Sequence, residues 1–205
     1  MKATLGFHPE DAKNISRSDF SALMEQLKQQ YTDNPEEIIA IGECGIDLYR
    51  VENPDIEHQQ ILLRLQAELA RKLHLPLVIH SREGFEETLE VLQEFTDLKI
   101  YFHCWGYGPE ELLKLETIFP QIWFGFTNIL SYPSAQKTRD SLLVAKREHL
   151  LLETDAPFLP PQVFRGQKNY PAYVSYVYQK TSELLDISLT DLENLIEDNF
   201  TVIFP

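Results

Sequence analysis

Four apolar runs in this chain end in residue types that bind metal ions. The first run begins at Ile38 and leads to a carboxylate, Glu43, that stands between two glycines. Apolar runs without alternation are typical of parallel strands that are buried on both faces. The three later runs end in the same way, at His80, His103 and Asp155. The recurrence predicts that each of four strands delivers a potential metal ligand to its carboxyl end.

Predicted strands and helices alternate along the whole chain. The clearest helical spacing runs over about residues 57–72, between the strands that lead to Glu43 and to His80. Other helices are predicted over 85–94, 109–118, 134–146, 172–184 and 188–199, with a long loop over 157–171. Alternation without a linker or repeat predicts a single domain, 1–205, in which helices wrap a parallel sheet. The predicted fold is α/β, a TIM-barrel-type (β/α) hydrolase fold with about six parallel strands instead of about eight.

The charge of the chain limits the ligands that it can attract. Its formal net charge of −14 argues against broad electrostatic attraction to nucleic acid. A phosphodiesterase remains compatible with this charge, because bound metal ions and a few Arg or Lys residues can reverse the local field. No apolar run approaches the ~20 residues of a membrane span, so no membrane association is expected.

The two cysteines indicate a reducing environment. Cys44 and Cys104 each follow a predicted site residue, and two such cysteines do not form a disulfide framework. The predicted location is therefore the cytoplasm. Since neighbouring side chains of a strand face opposite sides, both thiols are predicted to point away from the site and to pack against helices.

Two imidazoles and two carboxylates at the carboxyl ends of strands suit a divalent ion of the zinc, manganese or magnesium kind. Such an ion would lower the pKa of bound water and polarise a carbonyl or phosphoryl oxygen. Each ligand alone also has a structural interpretation. A lone histidine is commonly hydrogen-bonded, and Asp155 could end its strand and cap the following turn. The joint pattern is what predicts a metal site.

Seven ordered motifs extend the pattern over nearly the whole chain. They are GFHP (6–9), AIGECGID (40–47), LPLVIHSR (75–82), FHCW (102–105), LETDAP (152–157), RGQKNYP (165–171) and NFTVIF (199–204). Together they resemble the TatD family of metal-dependent deoxyribonucleases, within the amidohydrolase superfamily. The resemblance implies hydrolysis of phosphodiester bonds in DNA by metal-activated water.

The resemblance also implies roles for individual residues. Glu43 would bridge two metal ions, His80 and His103 would complete the second metal site, and Asp155 would belong to the first, close to the attacking water. Glu43 and Asp155 are thus the implied catalytic residues. The candidate substrate contacts are Arg82, Arg165, Lys168 and Asn169, although lone basic residues are also common on solvated surfaces.

One motif of the family is missing from these 205 residues. Members of the resembling family carry a His-x-His pair early in the chain. The histidines here are His8, His58, His74, His80, His103 and His149, and no two of them are two positions apart. His8 ends a strand at the expected face but is not predicted to be a primary ligand. The remaining ligands predict one divalent ion, Mg, Mn or Zn, rather than two. An N-terminally truncated barrel would also be open, which predicts self-association through its apolar edge strands.

Three functions follow from these observations. The leading one is a TatD-like metal-dependent hydrolase with deoxyribonuclease activity. The second keeps the site but places a non-nucleic-acid ester or amide there, since related folds host many chemistries. The third is a non-catalytic truncated remnant, or a subunit that a partner completes. Tyr170 stands where the resembling family often has Glu or Gln, which bears on substrate contacts more than on metal binding.

Overall fold

The structure is a computed structural model that describes residues 2–49 and 55–204. The strands are β1 (Ala3–Leu5), β2 (Ile38–Asp47), β3 (Leu77–Arg82), β4 (Ile100–Phe102), β5 (Ile122–Phe126) and β6 (Leu150–Leu152). The α-helices are α1 (Phe20–Asp33), α2 (Ile56–Leu73), α3 (Phe85–Leu92), α4 (Pro109–Ile118), α5 (Gln136–Val144), α6 (Val174–Leu185) and α7 (Leu189–Ile203). The α/β class with six strands is confirmed.

The residues group into two compact units. The first contains β1 to β4 with α1 to α3, and the second contains β5, β6, most of α4 and α5 to α7. The main boundary falls between Phe102 and His103. The predicted ligands are therefore divided: Glu43 and His80 lie in the first unit, and His103 and Asp155 lie in the second. The single domain over 1–205 stays a prediction.

In the first unit the strands pair in parallel in the order β1, β2, β3, β4. Helix α2 packs against β2 and buries Leu62, Leu63 and Ala67, as its amphipathic spacing predicts. At the start of the unit, Ala3 and Thr4 of β1 are exposed. Self-association through this strand stays a prediction.

Two ion pairs connect α2 to the segment that follows α3. The Arg64 guanidinium lies 2.8 Å from the Glu94 carboxylate, and Arg71 pairs with Asp97. These hydrogen bonds hold the pKa of Glu94 below its ordinary 4.5 and that of Asp97 below its ordinary 3.8. Both carboxylates are largely exposed, so each pair contributes only about 0.2–1 kcal/mol to stability.

We expect acid to remove this contribution. Because the folded-state pKa values are lowered, the stabilisation is complete above the ordinary values and is lost as pH falls through the folded-state values. The R64Q/R71Q variant should therefore be less stable than wild type at neutral pH, by about 0.4–2 kcal/mol. Urea unfolding in steps from about pH 7 to about pH 3 should show this difference shrinking. A K180Q control removes the exposed Lys180–Glu183 pair of α6. A difference that stays constant with pH would assign the loss to packing of the arginine side chains.

In the second unit β5 and β6 pair in parallel. Its core includes Trp105 and Phe124, whose rings meet edge to face at 4.9 Å. The Asn199 side chain donates to the backbone carbonyls of Arg147 and Leu150 and so fixes the start of β6 on α7. No helix in residues 2–49 and 55–204 is long and apolar enough to cross a membrane.

Candidate metal centre

Three side chains of the first unit converge on one point. Potential ligand atoms of His8, Glu43 and His80 all lie within 4.8 Å of one another. The His8 and His80 rings are 4.4 Å apart, and His8 Nε2 lies 4.0 Å from Glu43 Oε2. Two imidazole nitrogens and a carboxylate oxygen are donors that zinc and manganese accept. The donor set therefore fits a divalent ion.

Glu43 reaches this point because β2 is irregular. Between Ile41 and Cys44 the pairing with β3 shifts by one residue, which is a β-bulge. The glycines on either side have φ values of +142° and +148°, which L side chains rarely adopt. A Cβ at Gly45 would lie 1.8 Å from the His80 carbonyl oxygen. The prediction that the strand ends at Glu43 is wrong: β2 continues to Asp47, and Glu43 lies within the strand at the bulge.

Asp47 fixes the orientation of His80. Its Oδ2 atom lies 3.0 Å from His80 Nε2, and its side chain is only 2% exposed. Asp47 Oδ1 also accepts the Tyr49 amide N–H at 2.8 Å. A neutral His80 that donates Nε2–H to Asp47 carries its lone pair on Nδ1, the nitrogen suited to a metal. Asp47 was not among the predicted site residues, although it is the next carboxylate in the same apolar run.

Two glutamines of α2 hold the backbone on both sides of this cluster. Gln59 accepts from the Asp47 amide at 2.8 Å and donates to the Asp47 carbonyl at 3.2 Å. Gln66 forms the same pair of contacts with Phe7, at 2.7 and 3.1 Å. Both glutamines are buried. They therefore couple α2 to the segments that carry Asp47 and His8, which the helical spacing alone did not predict.

His8 is placed as a partner of Glu43. It caps a 3-10 turn, and its Nδ1 atom accepts the Glu10 amide N–H at 3.2 Å. A neutral imidazole has one lone pair, so this arrangement puts the proton on Nε2, which faces Glu43. Binding of an ion through Nε2 would require the bond to Glu10 to break. The expectation that His8 is not a primary ligand stays a prediction, because His8 lies within the cluster.

A carboxylate contacts the His103 ring, as Asp47 contacts the His80 ring. His103 directly follows β4 and is the first residue of the second unit, and its Nδ1 atom lies 3.3 Å from Glu153 Oε2. Glu153 Oε1 accepts the amide N–H of Cys104 at 2.6 Å. A neutral His103 that donates Nδ1–H to Glu153 carries its lone pair on Nε2. Glu153 was also missed as a site residue, although it lies within the LETDAP motif.

The two cysteines have different environments. Cys44 is fully buried, its Sγ lies 3.6 Å from the Val78 carbonyl oxygen, and burial raises the pKa of its thiol. Its predicted burial is confirmed, and its contact with helices stays a prediction. For Cys104 the prediction is wrong, because β4 ends at Phe102 and strand alternation does not continue. A φ of +49° turns Cys104 so that its Sγ lies 3.9 Å from Asp155 Oδ2.

The predicted substrate contacts fall into two groups. Arg82 lies with its guanidinium 3.6 Å from the centre of the Tyr49 ring, and Arg165 lies 4.2 Å from that of Tyr132. Lys168 is exposed. Contacts of these three basic residues with phosphate stay a prediction.

Asn169 is different, because it is 1% exposed and anchors a loop. Its side-chain amide donates to the carbonyls of Thr154, Phe158 and Leu159 at 2.6–3.1 Å. Direct contact of Asn169 with substrate stays a prediction. Its observed contacts show that Asn169 holds the conformation of this loop.

The structure therefore brings Glu43 and His80 together with His8 and Asp47 in the first unit. In the second unit it brings His103 to Glu153, and Cys104 to Asp155. That Glu43, His80, His103 and Asp155 share one metal ion stays a prediction from the sequence.

Comparisons with known families, sequences and solved structures agree with one another. The family described as "TatD related DNase" matches residues 1–205. An uncharacterized metal-dependent hydrolase of Mycoplasma genitalium, MG009, is 31% identical over 208 residues, which cover 100% of this chain and 78% of the relative. The 3'-5' RNA nuclease TATDN2 of Homo sapiens is 34% identical over 193 residues, covering 90% of this chain and 24% of the relative. The crystal structure of YjjV, a TatD homologue of Escherichia coli, superposes with a TM-score of 0.90 at 29% identity and covers 99% of this chain and 76% of that one.

Proposed function

The chain belongs to the TatD related DNase family of metal-dependent hydrolases, and we propose that it hydrolyses phosphodiester bonds in nucleic acid, with DNA as the leading substrate. The observation that carries this proposal is the convergence of His8, Glu43 and His80, with the Asp47 carboxylate on the His80 ring. An imidazole that is oriented by a buried carboxylate is the arrangement that metal sites use to fix a ligand.

We assign the metal-holding role to Glu43 and His80, and propose His103 and Asp155 as further ligands on the sequence pattern. A divalent ion, when bound, supplies a Lewis acid that polarises a phosphoryl oxygen and lowers the pKa of water. Because the chain has no His-x-His pair, the proposal is for one ion and not for two.

The protein's own groups then have separate tasks. Asp47 and Glu153 hold His80 and His103 in the tautomers that present a lone pair. Asp155 orients the attacking water and accepts its proton while the water oxygen attacks phosphorus. The P–O bond to the leaving nucleotide breaks, and its oxygen recovers a proton, so that one phosphomonoester and one alcohol result. Arg82, Arg165 and Lys168 are proposed to neutralise the phosphates of the substrate.

The test is hydrolysis of labelled DNA and RNA single strands with Mg²⁺, Mn²⁺ or Zn²⁺. We expect E43Q to lower the rate at least about 100-fold, because a neutral amide replaces the carboxylate donor at the centre of the cluster. RNA is included because the human relative is named an RNA nuclease.

The matched control is E25Q, which makes the same change at an exposed glutamate of α1. Its rate should equal that of wild type. If wild type cleaves neither nucleic acid with any of the ions, the proposal is wrong. If E43Q retains the wild-type rate, the cluster around Glu43 is not the site of the chemistry.

A further inference from the structure

The His8 ring is held in place by contacts of the backbone on both sides of it. The buried Gln66 side chain accepts the Phe7 amide N–H at 2.7 Å and donates to the Phe7 carbonyl at 3.1 Å. The His8 carbonyl accepts the Asp11 amide N–H at 2.9 Å. Just beyond this turn, Ala12 is buried in an apolar cluster that includes residues of α2. A side chain on such an ordered segment loses little conformational entropy when it contacts a ligand.

The hydrogen bonds of His8 define which of its nitrogens carries the proton. Nδ1 accepts the Glu10 amide N–H at 3.2 Å, so this nitrogen holds the lone pair. The proton of the neutral ring then lies on Nε2, 4.0 Å from Glu43 Oε2. That distance is too long for a hydrogen bond, so the N–H is not donated to this oxygen. His8 therefore presents a hydrogen-bond donor to the cluster, and not a lone pair.

The neighbouring His80 has the opposite arrangement. It faces the buried Asp47 carboxylate with Nε2, at 3.0 Å, and so keeps its lone pair on Nδ1. The centres of the His8 and His80 rings are only 4.4 Å apart, with planes 65° apart. One ring thus offers an electron pair suited to a cation, and the other an N–H suited to an anion. The side chains of His8 and Glu43 are 30% and 40% exposed, so a ligand from solvent can reach both.

We propose that His8 is a catalytic residue that donates Nε2–H to a non-bridging oxygen of the scissile phosphate, beside a metal ion held by Glu43 and His80. This inference rests on the proposed function and deepens it by giving His8 a task other than metal binding. A phosphodiester has two non-bridging oxygens, so one can face the ion while the other accepts from His8. A donor that is fixed in advance stabilises the charge on this oxygen in the transition state. The proton stays on His8, so the bonds that form and break are those of the proposed hydrolysis.

Two amide substitutions separate the roles of the two ring nitrogens. In H8N the amide oxygen takes the place of Nδ1 and accepts the Glu10 N–H, as asparagine does at helix N-caps, but nothing replaces Nε2–H. In H8Q the longer side chain carries its NH2 group to about the position of Nε2, which restores a donor and removes the bond to Glu10. The matched control is H74N, at an exposed residue that ends α2 with φ of +56°, a conformation that asparagine adopts readily.

Binding is measured by calorimetry, because it does not depend on hydrolysis. The Kd of H8N for Zn²⁺ should stay within about 2-fold of wild type, since no ligand to the ion is removed. The Kd of the Zn²⁺-loaded protein for inorganic phosphate should rise about 10- to 150-fold in H8N, the loss expected for one hydrogen bond to a charged group. H8Q should recover part of the phosphate affinity. H74N should match wild type in both titrations.

Hydrolysis provides a readout that a merely structural role would not change. With a labelled oligo-dT substrate, kcat should fall about 100- to 1000-fold in H8N. The substrate is then prepared with sulfur in place of one or the other non-bridging oxygen of the scissile phosphate. Sulfur is a weak hydrogen-bond acceptor, so the diastereomer with sulfur towards His8 gains little from the donor. The difference between wild type and H8N should therefore shrink for one diastereomer and stay complete for the other.

Three results would overturn the inference. Binding of Zn²⁺ by H8N that is about 10-fold weaker or more would make His8 a metal ligand. Phosphate that does not bind the Zn²⁺-loaded wild type, or that binds H8N with the wild-type Kd, would remove the proposed contact. An equal loss of kcat for both diastereomers would assign the effect of H8N to displaced neighbours.

The inference and the proposed function fail in different ways. Cleavage by H8N at the wild-type kcat would overturn the role of His8 and leave the hydrolysis in place. Phosphate binding that depends on His8, in a wild type that cleaves neither DNA nor RNA, would overturn the hydrolysis and leave the donor in place.

Discussion

Replacing Gly45 by alanine should destabilise the protein by about 2–6 kcal/mol. The φ of +148° is strained for any L residue, which costs about 1–3 kcal/mol. The new Cβ would also lie 1.8 Å from the His80 carbonyl oxygen and 2.8 Å from its carbon, so backbone and not a flexible side chain must move. Overpacking of this kind costs about a further 1–3 kcal/mol. Thermal or urea unfolding measures the loss, and about 2–4 °C in Tm is expected per kcal/mol.

Two other glycines separate the two causes of this loss. At Gly166 φ is +85° but a Cβ would meet nothing within 4 Å, so G166A carries backbone strain without a clash. At Gly106 the nearest atom would be 3.9 Å away, which is ordinary contact, and G106A serves as the control for the change in composition. We expect G45A to lose most, G166A less and G106A least. Equal losses for G45A and G166A would contradict the close approach of β2 and β3.

Most of the secondary structure was predictable because it depends on patterns that are local in the sequence. The apolar stripe predicts a helix over residues 57–72, and α2 spans Ile56–Leu73. The predicted helix over 109–118 coincides with α4. In both cases burial of one helix face imposes a period on the sequence, and that period can be read without tertiary information.

The contact of Asp47 with the His80 ring was not predictable, because it depends on the register between strands. The bulge between Ile41 and Cys44 decides which residues of β2 face β3, and it brings Asp47 opposite Arg82 and next to the His80 ring. Nothing in the spacing of the apolar residues shows where such a bulge lies. The contact of Glu153 with His103 likewise joins residues that are 50 positions apart.

Cys104 shows a further limit of arguments from alternation. The alternating pattern holds only while φ and ψ stay in the β region, and β4 ends two residues before Cys104. The positive φ of Cys104 is a property of the loop, which the sequence FHCW does not reveal. The Cys104 thiol therefore faces Asp155, whereas strand alternation predicts that it points away from the site.

The second large effect is expected at Asp47, where D47N should weaken metal binding about 10- to 100-fold. The amide has nearly the same shape as the carboxylate and can still accept from the Tyr49 amide N–H. It lacks the negative charge that makes the His80 ring a better donor and that fixes its tautomer. Calorimetric titration with Zn²⁺ or Mn²⁺ measures Kd without any need for activity. H80A sets the limit of full loss, and D33N, at an exposed position of α1, makes the same charge change elsewhere.

Stability gives a second readout of the same change. An ion that binds only the folded protein raises the free energy of unfolding by RT ln(1 + [L]/Kd), about 2.7 kcal/mol when the ion is at 100 times Kd. At that ion concentration a 10-fold weaker D47N would gain about 1.4 kcal/mol, and a 100-fold weaker one about 0.4 kcal/mol. The comparison is made with and without ion for each variant, so any change in intrinsic stability cancels. If D47N gains as much as wild type, Asp47 positions the backbone around Tyr49 and does not tune the His80 ligand.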